Sequence, residues 1–184
     1  MKPQQVLLVV LFSIASLILL CSLEVKSDLP YINYGVVEFG HEGNIGKPTS
    51  MVMYDNLEKY SEEYDIPKHI IYNIAFLETR YEGPFDWSYD AARTSCVGAV
   101  GPMQVMPSTA NLIHKTNVSV SKLKTDIRFN IETSVKLLQR LYKKYGDWGI
   151  VCGCYNTGRP IINGYARFCE SNKNYQKNWV YLKN

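Results

Sequence analysis

The sequence predicts an all-α domain over residues 50–184, and three observations carry that reading. Apolar residues from Met51 onward recur at intervals of three and four, which places them on one face of a helix. Proline and glycine stand where helices begin and end, as at Pro67 and Gly146. Strand patterning after residue 50 is weak at most.

Taken in order, Ser50 is read as the cap of a first helix carrying Met51, Tyr54, Leu57 and Tyr64. Pro67 opens a second, IPKHIIYNIAFLE, whose Ile70, Ile71, Ile74 and Ala75 form a stripe ending on Glu78. The acid is thereby assigned to the buried face. Gly83 and Pro84 stop this helix. The loop GPFDWSYDAARTS then carries Phe85, Trp87 and Tyr89, with Asp86 and Asp90 among them. Aromatic faces beside polar groups suit sugar rings, and a small hydrophobic cluster under the loop accounts for them equally well.

Gly101 and Pro102 are read as opening a short helix with Met103 and Gln104, restarted at Pro107 and Ser108. A helix beginning near Asp126 puts Ile127, Ile131, Val135, Leu138 and Tyr142 on one face and turns Lys136, Arg140, Lys143 and Lys144 to water. Gly146 ends it in the left-handed cap that glycine favours. DWGIVCGCYNTG is a helix of small residues ending in Tyr155 and Asn156, and a last helix is expected around Asn172 to Leu182.

Composition excludes several classes. At 184 residues, 46% apolar and 20% charged, the chain has room for one globular domain plus extras. Lys2, Glu24 and Lys26 contribute +1 of the formal +3, and the remaining +2 is too weak an excess to argue for nucleic acid. His41, His69 and His114 are scattered, so no metal site is expected, and no cofactor is called for. Residues 1–27 read as a signal peptide or signal anchor, with the apolar run Val6 to Leu23 behind Lys2. The positive end of that run stays in the cytoplasm, so the rest is expected in the periplasm or cell envelope. Residues 28–49 read as a linker or docked arm, rich in glycine and proline. An exported domain with Cys96, Cys152, Cys154 and Cys169 can form two disulfides in three connectivities, or keep some of these residues as small buried apolar groups. Cys152 and Cys154 face nearly opposite ways on a helix and are poor partners for each other.

An acid on an apolar stripe is costly to ionise, so its pKa rises and it becomes a candidate general acid for cleaving an acetal. The alternative is that Glu78 pairs with Arg80, Arg93 or a backbone group at the helix end.

The residues Glu78-Thr79, Ser95, GAVGPMQVMPSTA from Gly98 to Ala110, YGD from Tyr145 to Asp147 and CYNTG from Cys154 to Gly158 resemble the soluble lytic transglycosylase family. The resemblance runs from about residue 64 to residue 182 and implies a lysozyme-like fold. It implies that Glu78 is the catalytic acid, protonating the oxygen between N-acetylmuramic acid and N-acetylglucosamine in peptidoglycan glycan strands. The same carboxylate then takes the proton of the muramic acid's six-hydroxyl, giving a 1,6-anhydro product. Ser95, Met103, Gln104 and Asn156 are implied to line the cleft, and Tyr155 to orient the acid. Small enzymes of this kind can serve a secretion, conjugation or phage apparatus, and a membrane tether is compatible with the leader.

Three departures accompany the resemblance. Sixteen residues separate Glu78 from Ser95, more than the family usually allows. The excess loop can supply an extra sugar-binding wall, or it can supply Asp86 or Asp90 as the second carboxylate of a hydrolytic, goose-type-like lysozyme. Pro102 replaces a leucine, and TGRP replaces a glycine-proline turn. A non-catalytic peptidoglycan-binding or scaffold protein is the alternative outside enzymes.

Overall fold

The computed structural model describes residues 46–180; the leader and nearly all of the arm lie outside them. Seven α-helices follow in order among the described residues. They are α1 (Thr49–Glu63), α2 (Lys68–Thr79), α3 (Pro107–His114), α4 (Val120–Thr125), α5 (Ile127–Tyr145), α6 (Trp148–Thr157) and α7 (Gly164–Ser171), with a 3₁₀ turn at Tyr175–Asn178. No strand occurs among them; two isolated antiparallel bridges, Thr94 to Val100 and Val100 to Val105, are all the β structure present. The described domain is all-α.

α2 is the central element. Ile70, Ile71, Ile74 and Ala75 have no exposed surface, and Tyr72, Asn73 and Thr79 are buried too. A helix apolar nearly all round must be covered on every side, and α1, α6, α7 and the 3₁₀ turn all pack against it. Two of its interior polar groups are tied to neighbouring elements. The Tyr72 hydroxyl donates to Glu58 Oε1 of α1 at 2.8 Å. Asn73 Nδ2 donates to the carbonyls of Cys169 and Asn172, each at 2.9 Å. Glu78 therefore sits on the last turn of the helix least free to move.

Several ends agree with sequence signals and several do not. Pro67 precedes α2, Asp126 caps α5 by accepting from the Phe129 amide at 2.9 Å, and Asp147 caps α6 by accepting from Ile150 at 2.8 Å. Ser50 is not a cap. It lies inside α1, which Pro48 precedes, and its buried hydroxyl donates to the Pro84 carbonyl at 2.8 Å. The buried face of α1 is Val52, Met53, Leu57 and Tyr60; of the stripe read from Met51 only Leu57 is buried, while Tyr54 and Tyr64 pack half-buried against the core. α2 stops at Thr79 with Arg80 left-handed at φ 59°, before Gly83 is reached. Of the final helix expected at 172–182, the described residues form only the 3₁₀ turn at Tyr175–Asn178; α7 precedes it and was not expected.

The expected short helix at Met103 and Gln104 is instead a turn. Gly101 and Gln104 have φ of +79° and +48° there. The cause is Asn130, fully buried on α5, whose Nδ2 donates to the carbonyls of Val100 and Leu123 at 2.9 Å each and whose Oδ1 accepts from the Met103 amide at 3.0 Å. A Cβ on Gly101 would lie 2.3 Å from that same Nδ2, so the turn closes on the asparagine only because residue 101 has no side chain. We expect Asn130→Ala to destabilise the domain by about 3–5 kcal/mol, since three buried backbone groups lose their partner. Urea unfolding reads this directly; a loss below about 1 kcal/mol would mean that water replaces the amide.

Candidate active site

Glu78 emerges from the end of α2 half-buried. Tyr165, on the first turn of α7, donates to Glu78 Oε1 at 2.7 Å. Burial pushes the carboxyl up from 4.5 to about 7, and the Tyr165 hydrogen bond opposes the rise by favouring the ionised form. The phenol itself is held well above its usual range by burial and by the neighbouring Glu78 charge, so it remains a proton donor.

Thr79 fixes the helix end against the loop that faces it. Its buried hydroxyl donates to the Pro102 carbonyl at 2.9 Å and lies 2.8 Å from the Tyr89 hydroxyl. The residue beside the acid thus ties α2 to the turn bearing Gln104, and Tyr89 of the aromatic loop is built into the same junction. Tyr89 is core, packed at 5.1 Å and edge-on to Tyr81. Phe85 and Trp87, 43% and 68% exposed, form an edge-to-face pair on the outside. Asp86 Oδ1 accepts from the amide and hydroxyl of Ser88, and Asp90 Oδ1 from the Ala92 amide, so both carboxylates turn back into their own loop.

The other expected residues fall into two groups. Gln104 and Tyr155 line one small groove together with Met106, Thr109, Ser134 and Leu137. The Gln104 amide is drawn back onto its own turn, with Nε2 donating to Gly101 O at 2.9 Å. Asn156 is exposed and accepts from Asn163 Nδ2 at 2.9 Å, and Asn163 in turn caps α7 through the Ala166 amide at 2.9 Å. Asn156 is thereby linked to the helix that carries Tyr165. Ser95 Oγ accepts from the Ala99 amide at 3.0 Å and shapes the glycine-framed turn.

Two expectations need correction. Met103 has no exposed surface: its side chain is part of the core, so it lines no groove. Tyr155, expected to hold the acid, instead donates to the Met103 carbonyl at 2.6 Å and lies 3.1 Å from Ser134 Oγ. The hydroxyl bonded to Glu78 belongs to Tyr165, which the sequence reading passed over. Its only local signal was a capping asparagine, Asn163, two residues before it.

The domain is thus all-α, with one half-buried acid closing its central helix. Residues 55–178 match the family described as the transglycosylase SLT domain, and the chain belongs to that family. Two solved structures are similar to it. The 70-kDa soluble lytic transglycosylase in complex with bulgecin A shares 26% identity over 63% of this chain and 18% of that one, at a TM-score of 0.49. The 70-kDa soluble lytic transglycosylase of Escherichia coli shares 27% identity over 68% and 19%, at a TM-score of 0.48. This chain therefore spans less than a fifth of the length of either.

Proposed function

We propose that this domain is a peptidoglycan lytic transglycosylase in which Glu78 serves as acid and then as base. The observation that supports it most is the half-buried Glu78 carboxyl closing α2, with the Tyr165 hydroxyl 2.7 Å from one of its oxygens, where burial raises its pKa to about 7. A group poised near neutral pH can both give and take a proton at little cost, which one residue with two successive duties requires.

In the first step protonated Glu78 gives its proton to the oxygen bridging N-acetylmuramic acid and N-acetylglucosamine, and the bond from that oxygen to the muramic acid's anomeric carbon breaks. The substrate's own N-acetyl group stabilises the positive charge on that carbon, where other glycosidases use a second carboxylate. In the second step the six-hydroxyl of the same sugar bonds to the anomeric carbon and its proton passes to Glu78. The acid is regenerated and no water is consumed. Tyr165 holds the carboxylate between the two steps, and Gln104, Tyr155, Ser95 and Asn156 are assigned to contact the glycan. Such a substrate lies outside the cytoplasmic membrane, in agreement with the export segment read at residues 6–23.

Mass analysis of fragments released from purified sacculi tests this reading. The expected muropeptides end in 1,6-anhydro sugars, lighter by one water than hydrolysis products. Reducing ends abolished by Asp86→Asn or Asp90→Asn would assign the domain to the hydrolytic lysozymes instead. Binding to sacculi with no fragment released would make it a scaffold.

A further inference from the structure

Asn163 stands where α6 and α7 meet, and both ends of its side-chain amide are engaged. Oδ1 accepts from the Ala166 amide at 2.9 Å and so caps α7, while Nδ2 donates at 2.9 Å to Asn156 Oδ1 on the last turn of α6. Its backbone carbonyl accepts from the Arg167 amide at 3.0 Å, which opens the helical ladder of α7. One residue thus ties the end of one helix to the start of the next, across a connection in which Gly158, Arg159, Pro160, Ile161 and Ile162 are all exposed.

The core holds α7 at Ala166 and Cys169, neither of which has exposed surface. Tyr165 lies ahead of both, as the second residue of an eight-residue helix. The first amides of a helix have no partner within it, and short helices fray at such ends unless an outside group closes the turn. Gly164, between Asn163 and Tyr165, gives no hold of its own: it is exposed, and a Cβ built on it would meet nothing within 4 Å. Yet the Tyr165 hydroxyl has to lie 2.7 Å from Glu78 on another helix. A displacement of the phenol by about 1 Å would break that hydrogen bond.

We infer that Asn163 is a positioning residue: by capping α7 and bridging to Asn156 it sets where the Tyr165 hydroxyl meets Glu78. It acts on the carboxyl through Tyr165. Asn156 is among the residues assigned to contact the glycan, so the same bridge joins a sugar contact to the group that holds the acid. That this arrangement serves turnover rests on the role proposed for Glu78; the placing of Tyr165 by Asn163 does not.

The test follows the Glu78 carboxyl by NMR titration of the full chain labelled with carbon-13 at the glutamate carboxyls, its signal assigned by its loss in Glu78→Gln. The Tyr165 hydrogen bond favours the ionised form, so loosening it raises the titration midpoint. Asn163→Ala should move the midpoint upward, towards that of Tyr165→Phe. Asn163→Ser, which keeps a capping oxygen and loses the bridge, should fall between Asn163→Ala and wild type, and it carries the test if the alanine variant folds poorly. The double variant Asn163→Ala/Tyr165→Phe should titrate with Tyr165→Phe alone, because both changes act on one hydrogen bond. Release of fragments from sacculi should fall about 3- to 10-fold in Asn163→Ala, with its alkaline limit at higher pH. Gly164→Ala fills open space beside the same cap and should leave midpoint and activity in place. Asn163 variants that lose stability and titrate like wild type would make the residue a structural cap and overturn the inference. A double variant shifted by the sum of the two single shifts, or a Gly164→Ala shifted as far as Asn163→Ala, would overturn it as well. Midpoints that move as expected in a protein that leaves sacculi intact would sustain the placing of Tyr165 and remove the catalytic role of Glu78.

Discussion

Glu78→Gln should abolish cleavage of peptidoglycan, by about 1,000-fold or more, and should make the folded domain more stable at alkaline pH. The first effect follows because glutamine has nearly the same shape but no proton to give. The second follows from the carboxyl's folded pKa of about 7 against 4.5 for the free group. Below pH 4.5 the acid is protonated in both folded and unfolded chains, and its titration contributes nothing. Between 4.5 and 7 the unfolded chain ionises while the folded one keeps its proton, so stability declines as pH rises through that window. At pH 8 the accumulated cost is about 3 kcal/mol. Glutamine never ionises and escapes it. Urea unfolding at pH 4 and pH 8 should therefore show wild type and variant equal at the lower pH and the variant more stable at the higher. A variant less stable at both would mean that the carboxylate holds the fold together, and an active one would remove Glu78 from the mechanism.

Tyr165→Phe should lower activity by about 10- to 100-fold and move its alkaline limit to higher pH. The Tyr165 hydrogen bond favours ionised Glu78, so its removal lifts the carboxyl above about 7. Protonated acid then persists to higher pH, while the less well-held carboxyl gives and takes its proton from poorer positions. Tyr155→Phe is the natural control. It takes the hydrogen bond from the Met103 carbonyl and should reduce stability while leaving the alkaline limit in place. If the limit moves in Tyr155→Phe and not in Tyr165→Phe, the tyrosine that acts on Glu78 is the one the sequence pattern suggested. Full pH profiles of both variants distinguish the outcomes, whereas a single-pH activity would not.

Much of this was legible because it is local. The apolar stripe from Ile70 to Ala75, Pro67 ahead of it, the Asp126 and Asp147 caps and Gly146 all act within one or two helical turns, and such signals survive without tertiary context. The placement of Glu78 at the end of a buried helix came from the same short-range pattern. Gly101 to Gln104 misled because glycine and proline mark a chain reversal without saying which one. The buried Asn130 selects a left-handed turn over a helix by claiming two carbonyls and one amide there, and it lies 27 residues from Met103 in sequence. α7 was missed for a related reason. GYARFCES has few apolar residues and gains its burial from α6 and α2, whereas the aromatic residues Tyr175 and Trp179 drew the expectation onto a segment that forms only a 3₁₀ turn.

The sequence by itself therefore determined an all-α domain, its main helices, its family and the acid around which a site is proposed. Each of these rests on contacts between residues a few positions apart, or on motifs whose order along the chain is itself the signal. Only the tertiary structure decided that Tyr165 rather than Tyr155 holds Glu78 and that Met103 is core. The Tyr165 hydroxyl reaches the acid across 87 positions of sequence. Such a contact is fixed by the packing of α7 on α2, through Phe168 on Phe76 and Asn73 on the Cys169 carbonyl, and no local pattern encodes it.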